Sequence, residues 1–318
     1  MSILGSNNRP SRKKIIALIV SVLFVAAALI YIVGGDDIRS FLDERLGLGD
    51  IFGTVSDTTS GEIQVHIIDV GQGDSSLIIS EDGVILIDAG PNSAENALRA
   101  HLDACGVKTI DYFICTHPHE DHIGGADMVI NEYTVKTVLM PETDVSTATV
   151  NRLFDALEAS TDTVLEAPEV GDEYSLGKIS FKILAPDPSV ADDSNNSSIV
   201  LRLRFGDTYF MFTGDAEKAS EEMILETFTA SELRSDFLKI GHHGSSTSTS
   251  EEFLDAVSPI CVSISCEKGN SYGHPHAETL KKLEERGLTG ERLLRTDELG
   301  TIVVFSDGET LSVGSFGS

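Results

Sequence analysis

The chain has 318 residues, 41% apolar and 23% charged, the make-up of an ordinary folded protein with room for one large domain or two small ones. Against 23 Lys and Arg stand 51 Asp and Glu, a formal net charge of −28. A surface of that sign repels polyanions at long range, which excludes a general nucleic-acid-binding module with a basic face; a nucleic acid would have to be held at a local site.

Residues 1–14 are polar and basic, with Arg9, Arg12, Lys13 and Lys14 directly ahead of the uncharged apolar run Ile15–Val33. As a helix that run is about 28 Å long, enough to cross a bilayer core. Asp36 and Asp37 follow it, and positive residues before a span with acidic ones after it put the N-terminus in the cytoplasm and the rest outside. The run ends Leu29-Ile30-Tyr31-Ile32-Val33 with no small-x-small cleavage site, so an uncleaved transmembrane anchor is preferred to a removed signal sequence. A buried core helix is disfavoured by the length and the terminal position. Residues 34–61 read as a linker, with room for a short amphipathic helix within Ile38–Leu48 and a Ser-, Thr- and Gly-rich end.

The folded domain, 62–318, opens on the strand Ile63–Ile68 and the loop Asp69-Val70-Gly71-Gln72-Gly73-Asp74-Ser75. Ser76–Ser80 and Val84–Asp88 read as a hairpin turning at Asp82-Gly83. A helix over 94–104 stops at Gly106. The strand Ile110–Cys115 then runs into Thr116-His117-Pro118-His119-Glu120-Asp121-His122-Ile123-Gly124-Gly125, which packs three imidazoles and two carboxylates into consecutive positions. On extended backbone His117 and His119 point the same way. Asp121 and His122 turn at the start of a short helix and reach the same point from another side. Nitrogen and oxygen donors in this set suit a borderline divalent ion. A polar loop, or histidines satisfied by their surroundings, is the bland alternative; it suits a lone His better than this pattern behind a buried strand.

Further on come a strand at 137–140, a helix at 147–159, and strands at 178–184, 198–205 and 208–212 leading to Thr213-Gly214-Asp215. A helix at 220–228 precedes the strand 237–240 and Gly241-His242-His243-Gly244-Ser245. A helix at 251–256, a strand at 260–265, a helix at 276–286 and a hairpin about Asp307-Gly308 complete the chain. Two such halves predict two packed sheets covered by outer helices. Cys105, Cys115, Cys261 and Cys266 have no C-x-x-C spacing and sit in or beside apolar runs; buried thiols are expected, with a disulfide left open. Asp69, Asp88, His117 to His122, Asp215, His242, His243 and His274 all fall at strand ends, where a rigid scaffold can assemble a site. Singly, each has a bland reading, such as Asp88 or Asp215 capping a turn; together they need too many coincidences.

These residues resemble the metallo-β-lactamase superfamily, an αββα sandwich with a dinuclear metal site. The Asp69–Ser75 loop, Phe212-Thr213-Gly214-Asp215, Leu238–Ser245 and Asn270-Ser271-Tyr272-Gly273-His274-Pro275 resemble its ComEC-type competence-protein branch, over roughly residues 62–306. The full ComEC protein also carries a multi-span channel region; this chain has a single candidate span, so it resembles only the hydrolase part and DNA transport does not carry over. The resemblance implies two divalent ions, one held by His117 and His119, the other by Asp121 and His122, with Asp215 bridging. His242 is the preferred further imidazole and His243 the other possibility, while Asp88 fixes the tautomer of a ligand histidine. Where the superfamily often has another histidine, this chain reads Asp193-Ser194-Asn195-Asn196-Ser197-Ser198, which weakens a preference for Zn and makes Mn plausible.

The implied activity is hydrolysis of a phosphodiester, in DNA or an envelope polymer, by metal-activated water. Asp121, Asp215 and His274 are the expected catalytic groups, His274 serving the leaving alkoxide. Asn196, Ser245, Asn270 and Tyr272 are the expected substrate contacts. The membrane, through the N-terminal helix, and the substrate are the expected partners, with no stable protein partner evident. A phosphocholine-type envelope esterase suits the acidic surface better than DNA does; β-lactam hydrolysis and a non-catalytic binding module are further alternatives.

Overall fold

Strand by strand, the apolar residues sort onto two faces. In the computed structural model, which describes residues 62–189 and 195–315, this sorting builds two sheets with helices outside both. The basic stretch 1–14, the candidate span 15–33 and the linker 34–61 lie outside the described residues. Among the described residues no helix is long and apolar enough to cross a membrane.

The first sheet holds β1 (Ile63–Ile67), β2 (Ser76–Ser80), β3 (Gly83–Ile87), β4 (Thr109–Ile114), β5 (Thr134–Leu139), β6 (Val164–Glu166), β14 (Ile302–Ser306) and β15 (Leu311–Ser315). Their order is β15-β14-β1-β2-β3-β4-β5-β6. The second holds β7 (Glu173–Leu176), β8 (Ile179–Ala185), β9 (Val200–Phe205), β10 (Thr208–Phe212), β11 (Phe237–Lys239), β12 (Cys261–Ile264) and β13 (Leu293–Arg295), ordered β13-β12-β11-β10-β9-β8-β7. Side chains alternate across a strand, so Ile63, Val65 and Ile67 of β1 enter the core between the sheets, against Phe181, Leu201, Phe210 and Phe212 of the second sheet.

Helices α1 (Glu95–Ala104), α2 (Glu120–Ile123), α3 (Ala126–Glu132) and α4 (Ala148–Ala159) follow strands of the first sheet. Leu98, Leu102, Val129 and Leu153 from them bury against its outer face. On the other side α5 (Lys218–Thr227), α6 (Ala230–Leu233), α7 (Glu251–Val257), α8 (Ala277–Glu285) and α9 (Thr296–Leu299) accompany the second sheet, with Ile224, Phe253, Leu254 and Leu283 in a third core. This is the αββα layering expected.

In each sheet one run of neighbours is parallel: β3, β4, β5 and β6 in the first, β10, β11, β12 and β13 in the second. Parallel neighbours end on the same edge, where loops of an α/β sheet assemble sites. Asp88 follows β3, His117 follows β4, Asp215 follows β10, His242 and His243 follow β11, and His274 follows β12. Strands β6, β7 and β13 and helix α3 were not anticipated; at three, four, three and seven residues they are too short to show a period. All four cysteines are free thiols.

Candidate metal centre

The wall from the first sheet is set by Asp88, whose backbone is left-handed at φ +58°. Its buried carboxylate accepts from Thr116 N at 2.8 Å, Thr116 Oγ1 at 2.7 Å and His122 Nδ1 at 2.8 Å. With its proton on Asp88, Thr116 Oγ1 accepts from His117 Nδ1 at 3.1 Å. The Nδ1 protons of His117 and His122 are thereby spoken for, and both Nε2 lone pairs turn toward the strand ends. His117 Nε2 lies 3.0 Å from His119 Nδ1.

From the second sheet, Asp215 brings a fully buried carboxylate between these rings. Its Oδ1 is 3.2 Å from His122 Nε2, and its Oδ2 is 3.9 Å from His117 Nε2 and 3.5 Å from His243 Nε2. His242 and His243 both have left-handed backbones, φ +48° and +54°, a conformation costing a non-glycine residue about 1–3 kcal/mol, which the surroundings must hold in place. His243 Nδ1 donates to Ser265 O at 3.1 Å, and Asp74 Oδ1 stands behind the ring at 3.4 Å; its Nε2 faces Asp121 Oδ2 at 3.2 Å.

The preference for His242 therefore gives way to His243. His242 Nδ1 is engaged by Glu217 Oε1 at 3.1 Å, its side chain is 23% exposed, and its Nε2 is 3.7 Å from Asp215. Donor atoms of His117, His119 and Asp215 lie mutually within 4.8 Å, as do those of Asp74, His122, Asp215 and His243. Asp74 is the less apt ligand of that second group, because it pairs with buried Lys239 and faces the committed side of the His243 ring. Asp121, on the open side, is better placed.

Whether these residues fit cations is decided by what faces what. His122 Nε2 and Asp215 Oδ1 are both buried and, 3.2 Å apart, lack hydrogen-bond geometry. A lone pair facing a carboxylate needs a proton or a cation between them. Without an ion the proton takes that place: burial would lower His243, but Asp215 and then Asp74 outweigh it and raise the imidazole to about 9. His122 is likewise raised against its own burial, by Asp215 and Asp88. Burial would raise Asp215, yet His122 and His243 hold it well below the usual carboxylate range. Asp121, opposed by burial but bonded to His243, falls to about 2. The donors suit divalent metal, with His117, His119 and Asp215 grouped on one side and Asp121, His122, His243 and Asp215 on the other.

A cavity of about 480 Å³ opens above, floored by His119, Asp121, Asp215 and His243 and rimmed by Gln72, Tyr272 and His274. Tyr272 is 65% exposed and stacks on His274, centroids 5.6 Å apart and planes at 20°. The other expected substrate contacts are employed elsewhere. Asn196 Oδ1 accepts from Glu217 N and Ser220 N at the start of α5, and its neighbour Asn195 lines the cavity instead. Ser245 is buried, 2.9 Å from Thr247 Oγ1. Asn270 spends its amide on Glu267 O, His274 O, Tyr272 N and His274 N, holding the loop rather than facing the cavity.

His274 also departs from expectation. Burial first, then His243, His242 and His276, push it down to about 4, so at neutral pH it carries no positive charge to give a leaving group. Gln72 Nε2 donates to its Nδ1 at 3.4 Å, which leaves Nε2–H as a neutral donor. Reading the sequence also passed over Asp74 and Lys239. The signal for Asp74 lay in the Asp69–Ser75 loop: a Cβ on Gly73 would sit 2.4 Å from Asp121 O, so only glycine lets this loop press against the histidine cluster, where Asp74 N bonds Asp121 O at 3.1 Å.

Comparison with known proteins identifies the family and the fold. The family model described as the metallo-beta-lactamase superfamily matches residues 68–259. ComE operon protein 3 of Bacillus subtilis (strain 168) is 34% identical over 261 residues, 76% of this chain and 33% of that protein. Competence protein ComA of Neisseria gonorrhoeae is 28% identical, with 76% and 32% covered, and Recombination protein 2 of Haemophilus influenzae is 29% identical, with 69% and 26% covered. The chain thus spans about a third or less of these relatives' length. Among solved structures, the metallo-beta-lactamase fold protein YhfI from Bacillus subtilis superposes with a TM-score of 0.52 at 13% identity, covering 80% of this chain and all of that one. CmlA, a diiron β-hydroxylase from Streptomyces venezuelae, gives 0.51 at 16% identity, covering 74% and 53%. These last two share the fold, and a fold does not settle a reaction.

Proposed function

The chain belongs to the metallo-β-lactamase superfamily, with competence proteins among its relatives, and from that premise we propose that it is a membrane-anchored, extracytoplasmic phosphodiesterase acting on DNA. One observation carries this reading: the Nε2 atoms of His117, His122 and His243 stand 3.9, 3.2 and 3.5 Å from the Asp215 carboxylate, each with its Nδ1 proton fixed elsewhere. Two divalent cations held there supply Lewis-acid activation of water and offset phosphoryl charge.

The chain's own residues do the rest. Thr116, Asp88 and Ser265 O lock the ligand tautomers, so the imidazoles need no reorganisation when ions arrive. Asp74, paired with Lys239, backs the His243 ring. His274, a neutral donor at the rim, hydrogen-bonds a non-bridging phosphate oxygen, and the leaving oxygen takes its proton from water in the open cavity. The Tyr272–His274 stack offers a flat aromatic face for a base of the scissile strand. That face, and relatives named for competence and recombination, favour a nucleic acid over a small ester despite the net charge of −28. The basic stretch before 15–33 supports the anchored, outward orientation.

The test is metal-dependent turnover by the purified chain with Mn²⁺ or Zn²⁺ on single- and double-stranded DNA, RNA and bis-p-nitrophenyl phosphate. Asp215→Ala serves as the control, and p-nitrophenyl phosphocholine and nitrocefin as competing substrates. Release of nucleotides is expected. Inertness toward all three phosphodiester classes removes the proposal, and faster turnover of the phosphocholine ester replaces it with an envelope esterase. Protease access to the domain in intact spheroplasts tests the orientation, and complete protection overturns it.

A further inference from the structure

A second cluster of imidazoles, sharing no residue with the Asp215 centre, joins β1 to the end of α1. His66 lies on the face of β1 turned away from the inter-sheet core, and its Nδ1 is 2.9 Å from His101 Nε2. Cys105 Sγ is 3.7 Å from His101 Nε2 and 4.0 Å from His66 Nδ1. Cys105 still hydrogen-bonds His101 O through its N–H at 3.0 Å, so the two side chains, four residues apart, share a helix face. His66 Nε2 donates to Gln64 Oε1 at 3.1 Å, which directs the Nδ1 lone pair into the cluster.

The sulfur–nitrogen separations are close to the edge of a tetrahedral zinc site, about 3.5 Å for Zn–N of about 2.0–2.1 Å and Zn–S of about 2.3 Å. The nitrogen–nitrogen contact need open only slightly. Among the described residues no carboxylate belongs to this group, and two imidazoles with a thiolate favour Zn²⁺ over Mn²⁺ or Mg²⁺.

We propose that His66, His101 and Cys105 form a zinc site that staples β1 to α1, with water from the partly exposed Cys105 side completing the coordination. On binding, the Cys105 S–H proton leaves to solvent, the His101 proton moves from Nε2 to Nδ1, and one proton is released per ion. The protonation states are set for this: burial, then His101, holds His66 at about 3, and burial holds His101 at about 4, so both rings are neutral. Burial also raises the Cys105 thiol to about 11, so it ionises only when the ion arrives.

The experiment uses the full chain, stripped with a chelator and reloaded with Co²⁺ or Zn²⁺. Expected are a thiolate–cobalt charge-transfer band in the near ultraviolet for wild type, its loss in Cys105→Ser, and one fewer zinc per chain in that variant. Gln64→Ala, which removes the partner of His66 Nε2, should weaken this zinc roughly 10- to 100-fold. Absence of the band in wild type while cobalt occupies the Asp215 centre, or its persistence in Cys105→Ser, overturns the proposal. Alkylation of wild-type Cys105 supplies a second reading should the variant not fold: Zn²⁺ should block it and Mn²⁺ should not, and labelling indifferent to Zn²⁺ likewise overturns it. None of these readouts depends on turnover, so this proposal and the hydrolase reading fail separately.

Discussion

The two imidazole clusters make the same side chain behave in opposite ways. At the Asp215 centre His122 is raised well above its ordinary value and His243 to about 9, although both are buried. Between β1 and α1, His66 sits at about 3 and His101 at about 4. Burial penalises the imidazolium in both places; Asp88, Asp215, Asp74 and Asp121 surround only the first. Carboxylates thus let His122 and His243 keep a proton that a dication can replace, whereas His117 of the same centre, lowered by its burial and by His122 against Asp215, is a neutral donor like His66 and His101.

The largest effect that can break this contrast comes from Asp215→Ala. It removes the carboxylate common to both halves of the centre, and turnover should fall by at least the roughly 10²–10³-fold that losing one charge-stabilising group costs. The cobalt–thiolate band of the other cluster should be untouched. Turnover that survives would mean that Asp215 is not the shared ligand. Asp88→Asn comes next. The amide cannot accept from Thr116 N, Thr116 Oγ1 and His122 Nδ1 as the carboxylate does, so metal affinity should fall about 10- to 100-fold, measured by chelator competition. An unchanged affinity would sink the tautomer-fixing role.

A smaller effect separates the clusters by pH in the ion-free protein. His243 is raised from 6.5 to about 9, so its stabilising contribution is complete below pH 6.5 and is lost as pH rises through 9. His66 and His101 are lowered from 6.5, so the fold disfavours their charged forms and stability falls as pH drops from 6.5 toward 4. After allowing for relaxation around buried groups, each limb should amount to about 1–2 kcal/mol, a Tm change of roughly 5 °C by calorimetry. His243→Gln should flatten the alkaline limb, and His66→Gln should shrink the acid one, to which His101, His117 and His274 also contribute. Saturating Mn²⁺ should remove the alkaline loss, and an ion-free Tm level from pH 6.5 to 9 would contradict the assignment.

Much of the centre was legible because its densest part is local. His117, His119, Asp121 and His122 stand together in the chain, directly after a buried strand that announces itself by apolar content. What stayed hidden turns on single-residue choices made by tertiary contacts. Asn195 and Asn196 are chemically alike, and only the amides opening α5 decide which one faces inward. His242 and His243 have similar backbone angles, and Ser265 O together with Asp74 selects the second. The Asp74–Lys239 pair joins a loop of one sheet to a strand of the other, a contact without any local signature. The layering was readable because alternation and helical period are properties of whole segments, whereas β6, β7 and β13 are shorter than one clear period.

The Asp215 centre also differs from the β1–α1 cluster in lying under a cavity with an aromatic rim, and Tyr272 tests whether that difference matters. A ring 65% exposed and stacked on His274 gains nothing for the core, so Tyr272→Ala should leave Tm unchanged. Stacking on a base is worth about 1–3 kcal/mol, so KM for an oligonucleotide should rise several-fold or more while kcat holds. An oligonucleotide abasic at the stacked position lacks the group the ring would meet, and the substitution should cost it little. An equal loss on both substrates would turn Tyr272 into a prop for His274. Loss confined to the substrate that carries the base would assign this rim to nucleic acid, and with it the chemical meaning of an acidic protein that recognises a polyanion at one cavity.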